Sequence, residues 1–290
     1  LTKIGEVLTG LPDFIGALMG ITLKCSIDDE TLKKHYEINK NQKVPWIYKL
    51  KNSARKRKDK VLICAGGPSI REFHPLIQNW KGDIFASKTV EYLENIGVTP
   101  HYCIHVDAGD NEPNRVWKNK KTNYLFSTQI KPEVFDVAKG CKVFKFNTIS
   151  SNEWMPPNLI AGGSNSTAQA LFLCAWLGYK EIHIVGFDCG FKKDPDGKMI
   201  LNVNRNNFNK DENPIVTVNN SKLGMTFHTD YEYMGMAEEA TKIIQILSRE
   251  KKIKFNAYGN SVFTSTVDNE IYKTSYSLGP GVPLKWLKAA

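Results

Sequence analysis

Between Lys60 and Phe191 the chain alternates short apolar runs with stretches of helical character. The runs are Val61-Leu62-Ile63-Cys64-Ala65, Asp83-Ile84-Phe85-Ala86, Tyr102-Cys103-Ile104-His105-Val106, Asn123-Tyr124-Leu125-Phe126, Lys142-Val143-Phe144-Lys145-Phe146 and Glu181-Ile182-His183-Ile184-Val185. Their length and near-continuous apolarity fit strands buried on both faces, and the clearest intervening helix runs from Ser166 to Leu177. The pattern predicts an α/β fold, a Rossmann-like, doubly wound and mostly parallel sheet.

Other periods flank this region. Leu8, Leu11, Ile15, Leu18 and Leu23 recur at near-helical spacing, which predicts an N-terminal amphipathic helix. After Phe191 comes a polar insertion, about residues 192–221, with no apolar periodicity; it reads as a loop or lid over a site. A helix from Tyr231 to Glu250 and a strand from Lys252 to Ala257 follow. Three parts result: residues 1–60, an amphipathic helix and basic arm; residues 61–260, the Rossmann-like domain; and residues 261–290, a tail without pattern.

Charge sharpens this division. The chain has 290 residues and a formal charge of +9. From Thr31 to Lys60 it carries eleven Lys or Arg against Glu37 and Asp59, so the excess belongs to this one segment. A helix before a basic arm fits oligomerisation or packing, whence a homo-oligomer is expected, or peripheral contact with an anionic membrane through residues 1–60. Nucleic acid is not expected as a partner, because Arg55-Lys56-Arg57-Lys58 has no interleaved aromatic residues. Six cysteines without a Cys-x-x-Cys pair fit free thiols, and no apolar stretch reaches the length of a membrane span. A cytoplasmic location is expected, peripheral to the inner membrane face if the arm binds lipid.

Candidate chemistry gathers at two glycine turns. Gly66-Gly67-Pro68-Ser69 follows the first apolar run, and Gly162-Gly163-Ser164 precedes the helix at Ser166. Glycines let the backbone approach a ligand closely, and amides and hydroxyls at a helix start suit a phosphate. The first turn is neither the Gly-x-Gly-x-x-Gly fingerprint nor a Walker A loop. Asp107 and Asp188 stand just past strand ends, where a carboxylate can bind a ribose hydroxyl, hold Mg²⁺ against phosphates, or cap a turn. His228, before the helix at Tyr231, is a candidate general base, and Asp188 is the second catalytic candidate. His105 reads as structural.

These motifs in this order, with Gly97-Val98-Thr99-Pro100-His101-Tyr102 and Leu177-Gly178-Tyr179-Lys180-Glu181-Ile182 leading into Gly186-Phe187-Asp188, resemble the 6-hydroxymethylpterin diphosphokinase MptE-like family, which includes motility accessory factors. They are also similar to bacterial sialyltransferases that use CMP-sialic acid. The likeness spans about residues 60–260. It implies that Gly66, Gly67, Pro68 and Ser69 line the nucleotide phosphates, that Ser87 occupies the place of an Asn that contacts the nucleotide, and that Gly163, Ser164 and Asp188 complete the pocket. It places His228 near the sialyltransferases' catalytic His, with Tyr231 and Tyr233 close by.

The resemblance implies two transfers. In one, a CMP-activated nonulosonic sugar passes to a glycan hydroxyl deprotonated by His228, without a cofactor. In the other, Mg²⁺ held by Asp107 or Asp188 bridges the phosphates of ATP while a pterin or similar alcohol attacks. A non-catalytic nucleotide-sugar binding module is the third reading.

Overall fold

The computed structural model describes residues 27–50, 59–149, 156–193, 196, 199–200, 203, 215–220 and 225–271. The helix expected at residues 8–23 and the basic cluster at residues 55–58 lie outside them. In chain order the elements are α1 (Asp29–Asn39), a 3-10 turn (Ile47–Leu50), β1 (Lys60–Cys64), a second 3-10 turn (Pro68–Phe73), α2 (His74–Gln78), β2 (Asp83–Ser87), α3 (Val90–Asn95), β3 (Tyr102–His105), a third 3-10 turn (Glu112–Arg115), β4 (Asn123–Ser127), α4 (Glu133–Val137) and β5 (Lys142–Phe146). The short strands β6 (Thr148–Ile149) and β7 (Ala161–Gly162) come next, then α5 (Ser166–Leu177), β8 (Glu181–Val185), β9 (Lys192–Lys193), β10 (Met199–Ile200), β11 (Val216–Asn220), β12 (Met225–Thr229), α6 (Tyr231–Lys251), β13 (Lys254–Ala257) and α7 (Val262–Ile271).

Seven strands form one sheet in the order β13-β8-β1-β2-β3-β4-β5, every neighbouring pair parallel. Each of the six apolar runs forms one of its strands. Along β1 the side chains alternate between two cores. Val61 and Ile63 join the face covered by α5 and α6, while Leu62 and Cys64 join the face with Ile77, Val90, Leu93 and Val134. Both cores are apolar, which is why the runs lack polar alternation. Helix α5 is buried nearly all round, as expected of an apolar helix between a sheet and a second helix.

Successive strands step outward from β1 to β5, and the chain then returns to place β8 on the other side of β1. The order therefore reverses between β1 and β8. In an open α/β sheet, that reversal leaves a crevice at the carboxyl ends of the strands.

The structure refines several boundaries. Part of the basic segment is folded onto the sheet. Leu32, Ile47 and Leu50 are buried, Lys145 at β5 donates its backbone N–H to the Pro45 carbonyl, and Asn39 donates its side-chain amide to the Thr128 and Ile130 carbonyls. The insertion contains the pair β9 and β10 and the strand β11, which pairs with β12 just beyond it, where the sequence shows no period. Backbone pairing holds these strands, and Phe227 of β12 reaches the core. Helix α6 ends with Lys252 in the left-handed region, and the next strand starts at Lys254. Past residue 260 the fold continues: Val262 and Phe263 of α7 enter the core.

Candidate functional site

A cavity of about 480 Å³ opens at the β1/β8 reversal. Gly66, Gly67, Ser87, Asp107, Ser164 and Asp188 all line it, so the structure brings together most of the positions that the sequence singles out. Pro68 and Ser69 are buried and, like Gly162, Gly163 and His228, are not among its lining residues. Lys88, Arg115, Asn165 and Tyr233 line it too.

The first glycine turn is built back to back with the end of β8. The Gly67 N–H donates to the Gly186 carbonyl at 2.6 Å, and a Cβ on Gly67 would sit 2.5 Å from that oxygen and 2.8 Å from Asp188 Oδ2. Gly186 has φ +70°, and its own Cβ would lie 2.5 Å from the Ala65 carbonyl. Both positions exclude a side chain, because the nearest conflicting atom at each is a backbone carbonyl oxygen. Asp188 then clamps the turn: the Ser69 N–H donates to Oδ2 at 2.7 Å, and the Ser69 hydroxyl donates to Oδ1. Burial pushes the Asp188 carboxyl up, and the two Ser69 bonds offset this only in part. Ser69 thus holds the turn through Asp188, whereas the resemblance assigns it to a phosphate.

The second turn repeats the device. Gly163, at φ +135°, packs against Ala168, and the Ser164 N–H and hydroxyl both donate to Glu239 of α6. Burial also raises the Glu239 carboxyl against those two bonds. Asn165 caps α5 by accepting from the Thr167 and Ala168 N–H groups. Nothing in the pattern of α6 marks Glu239 as a partner of a turn 75 residues earlier.

A charged cluster forms the other end of the cavity. Lys88 follows β2 with φ 61°, a left-handed backbone unusual for a non-glycine residue. Its Nζ donates to Glu112 Oε2 at 2.9 Å and to Asp107 Oδ2 at 3.4 Å. Arg115 Nη1 reaches Asp107 Oδ2 at 3.2 Å and Glu112 Oε2 at 3.5 Å, and His105 Nδ1 lies 2.9 Å from Glu112 Oε1. Burial alone would raise both carboxyls. Lys88 outweighs it, with the Gly109 N–H and Arg115 at Asp107 and with His105 at Glu112, so both lie below the ordinary range. Burial opposes the charged form of His105, but Cys103 and Glu112 outweigh it and push His105 up to about 9.

The family model described as 6-hydroxymethylpterin diphosphokinase MptE-like matches residues 31–194, more than half of the chain. The chain belongs to the MptE-like family. The search of curated proteins finds no match. MptE-like membership supports a nucleotide-dependent transferase function of the kinase type. The match includes most of α1, both glycine turns and the charged cluster, and it ends before β12 and His228.

His228 lies in β12, beside the cavity's rim. Its carbonyl accepts from the Phe191 N–H at 2.7 Å, and the next residue, Thr229, donates its hydroxyl to the carbonyl of the lining residue Cys189. The insertion also reaches the first turn, where the Val203 N–H donates to the Gly66 carbonyl at 2.8 Å. Of the two carboxylates suggested for Mg²⁺, both already have partners in the structure. Asp188 spends both oxygens on Ser69, Asp107 faces two cations, and no group of three or more His, Cys, Asp or Glu suited to a metal exists among the described residues. Among those residues, no helix is long and apolar enough to cross a membrane.

Proposed function

We propose that the chain is a nucleotide-dependent transferase whose donor is a CMP-activated nonulosonic, sialic-type sugar and whose acceptor is a hydroxyl of a surface glycan. The observation that carries this reading is the cavity at the β1/β8 reversal, set between two clamped glycine turns, with the strand that bears His228 hydrogen-bonded to Phe191 and to the lining residue Cys189. Its volume suits a nucleotide-sized ligand. The acceptor oxygen attacks the anomeric carbon and forms the new glycosidic bond. The bond from that carbon to the phosphate oxygen breaks, its electron pair leaves with CMP, and His228 takes the acceptor's proton. Preorganised donors and cations around the cavity stabilise the departing phosphate, so the reaction requires no cofactor.

A second reading, ATP-dependent diphosphoryl transfer to a pterin-like alcohol, is favoured by the family's own description. Calorimetry of the intact chain with CMP, CDP, ADP, ATP and GTP, with and without Mg²⁺, separates the two. CMP binding that EDTA leaves unchanged supports the sugar transferase; Mg²⁺-dependent ATP binding without CMP binding overturns it. His228→Ala is expected to abolish transfer and spare CMP binding, and unchanged turnover would remove His228 from the mechanism. Residues 1–60 are proposed to place the chain on an anionic membrane. Flotation with anionic liposomes that is unchanged by deleting residues 1–26 and neutralising Arg55, Lys56, Arg57 and Lys58 would overturn that part.

A further inference from the structure

The charged cluster at the β2/β3 end of the cavity contains more than its internal pairing requires. Glu112 has no exposed side-chain surface, yet it is approached by three basic groups, Lys88, His105 and Arg115. Lys88 is fixed by its short bond to Glu112 and by a left-handed backbone at the end of β2, a conformation that persists where surrounding structure enforces it. Its second contact, to Asp107, is longer at 3.4 Å, and Arg115 meets the same Asp107 oxygen at 3.2 Å. Asp107 keeps 40% of its side-chain surface exposed, so it can turn toward water when another anion takes its place. Lys88, Arg115 and Asp107 all line the cavity. Two cations converging on one replaceable carboxylate oxygen, inside a cavity, match the acceptor geometry of a phosphate.

We propose that Lys88 and Arg115 hold the phosphate of the nucleotide donor, that Asp107 is the anion they release to it, and that buried Glu112 is the positioning residue that sets Lys88. The proposal rests on the nucleotide reading above and assigns its phosphate end. Neither cation stands out in the sequence, where each reads as an ordinary surface residue. Asp107, named there as a ribose or Mg²⁺ ligand, becomes a counter-ion.

The test compares a nucleotide with its nucleoside: calorimetry of the intact chain with CMP and cytidine, and with ATP and adenosine. Lys88→Met and Arg115→Met are each expected to weaken the nucleotide by about 10- to 100-fold and to leave the nucleoside within about twofold. Arg115, partly exposed, supplies a variant that folds even if Lys88→Met does not. Glu112→Gln is expected to weaken CMP and spare cytidine, whereas a merely structural role would move both. Asp107→Asn is expected to bind CMP as tightly as the parent chain or more tightly, because a competing anion is gone. The proposal is overturned if Lys88→Met and Arg115→Met weaken nucleotide and nucleoside alike, or if Asp107→Asn weakens CMP as much as Lys88→Met does. If none of the four compounds binds the parent chain, the nucleotide reading itself falls, and this proposal with it.

Discussion

At the glycine-turn end of the cavity, Asp188 and Glu239 take hydrogen bonds from serine, and burial raises their carboxyls. At the other end, Asp107 and Glu112 meet Lys88, Arg115 and His105, and those groups hold them low. The same side-chain type thus serves two ends. In the turns it ties the backbone into a shape that only glycine tolerates. In the cluster it aims positive charge at the cavity. The first arrangement should be sensitive to shape and the second to charge.

The largest effect tests shape. Gly186→Ala forces a Cβ to 2.5 Å from the Ala65 carbonyl at φ +70°, so it should destabilise the fold by about 4 kcal/mol in denaturant unfolding. A loss below about 1 kcal/mol would mean that the two turns are not locked together. Next is Glu112→Gln, which leaves Lys88 and His105 facing a neutral amide. It should cost about 3 kcal/mol, and Lys88→Met in the same chain should recover part of that loss, a coupling that a double-mutant cycle measures. Asp188→Asn should cost about 2 kcal/mol by setting an amide donor against the Ser69 N–H or hydroxyl. Lys88→Met should recover none of it, and a measurable coupling would erase the distinction between the two ends.

The smallest effects come from pH. Asp107 and Glu112 have lowered folded values, so their contribution is complete above the ordinary carboxylate range and is lost as pH falls through those values. Asp188 and Glu239 have raised values, so their contribution is complete below the ordinary range and fades as pH rises through the raised values. Melting temperature followed from neutral to acid pH should therefore fall less steeply in Asp107→Asn with Glu112→Gln than in the parent chain. In Asp188→Asn, which lacks a group that stabilises on protonation, it should fall more steeply. His105, packed among Cys103, Glu112, Tyr124 and Phe126, supports the cluster with its charge up to about pH 9. CMP binding should weaken as pH rises through that value, and the step should be missing in His105→Gln.

Much of this was legible in the sequence because burial on both faces writes itself into a strand. The six apolar runs, the helix at Ser166 and the two glycine turns all belong to the fold in their predicted places. Their convergence on one cavity followed from the ordinary geometry of a sheet whose strand order reverses. The clamps were not legible. Glu239 lies 75 residues from Ser164, and only the packing of α6 on α5 brings them together. Lys88 and Arg115 each resemble a solvated surface residue, and their meeting depends on how the loop after β3 folds back across the end of β2. Ser69 shows the converse, a hydroxyl at a phosphate-like turn that is satisfied by Asp188 from 119 residues away. The charge excess at Thr31 to Lys60 read as an arm, although residues 27–50 pack against the sheet, because their few buried side chains are spaced among many lysines.

The most direct test of the central claim is a crystal structure of the intact chain with CMP. The account predicts the nucleotide in the cavity between the ends of β1 and β8, its phosphate within hydrogen-bond reach of Lys88 and Arg115 and Asp107 turned away from both. CMP bound outside that cavity, or with its phosphate remote from both cations while Asp107 keeps them, would contradict it.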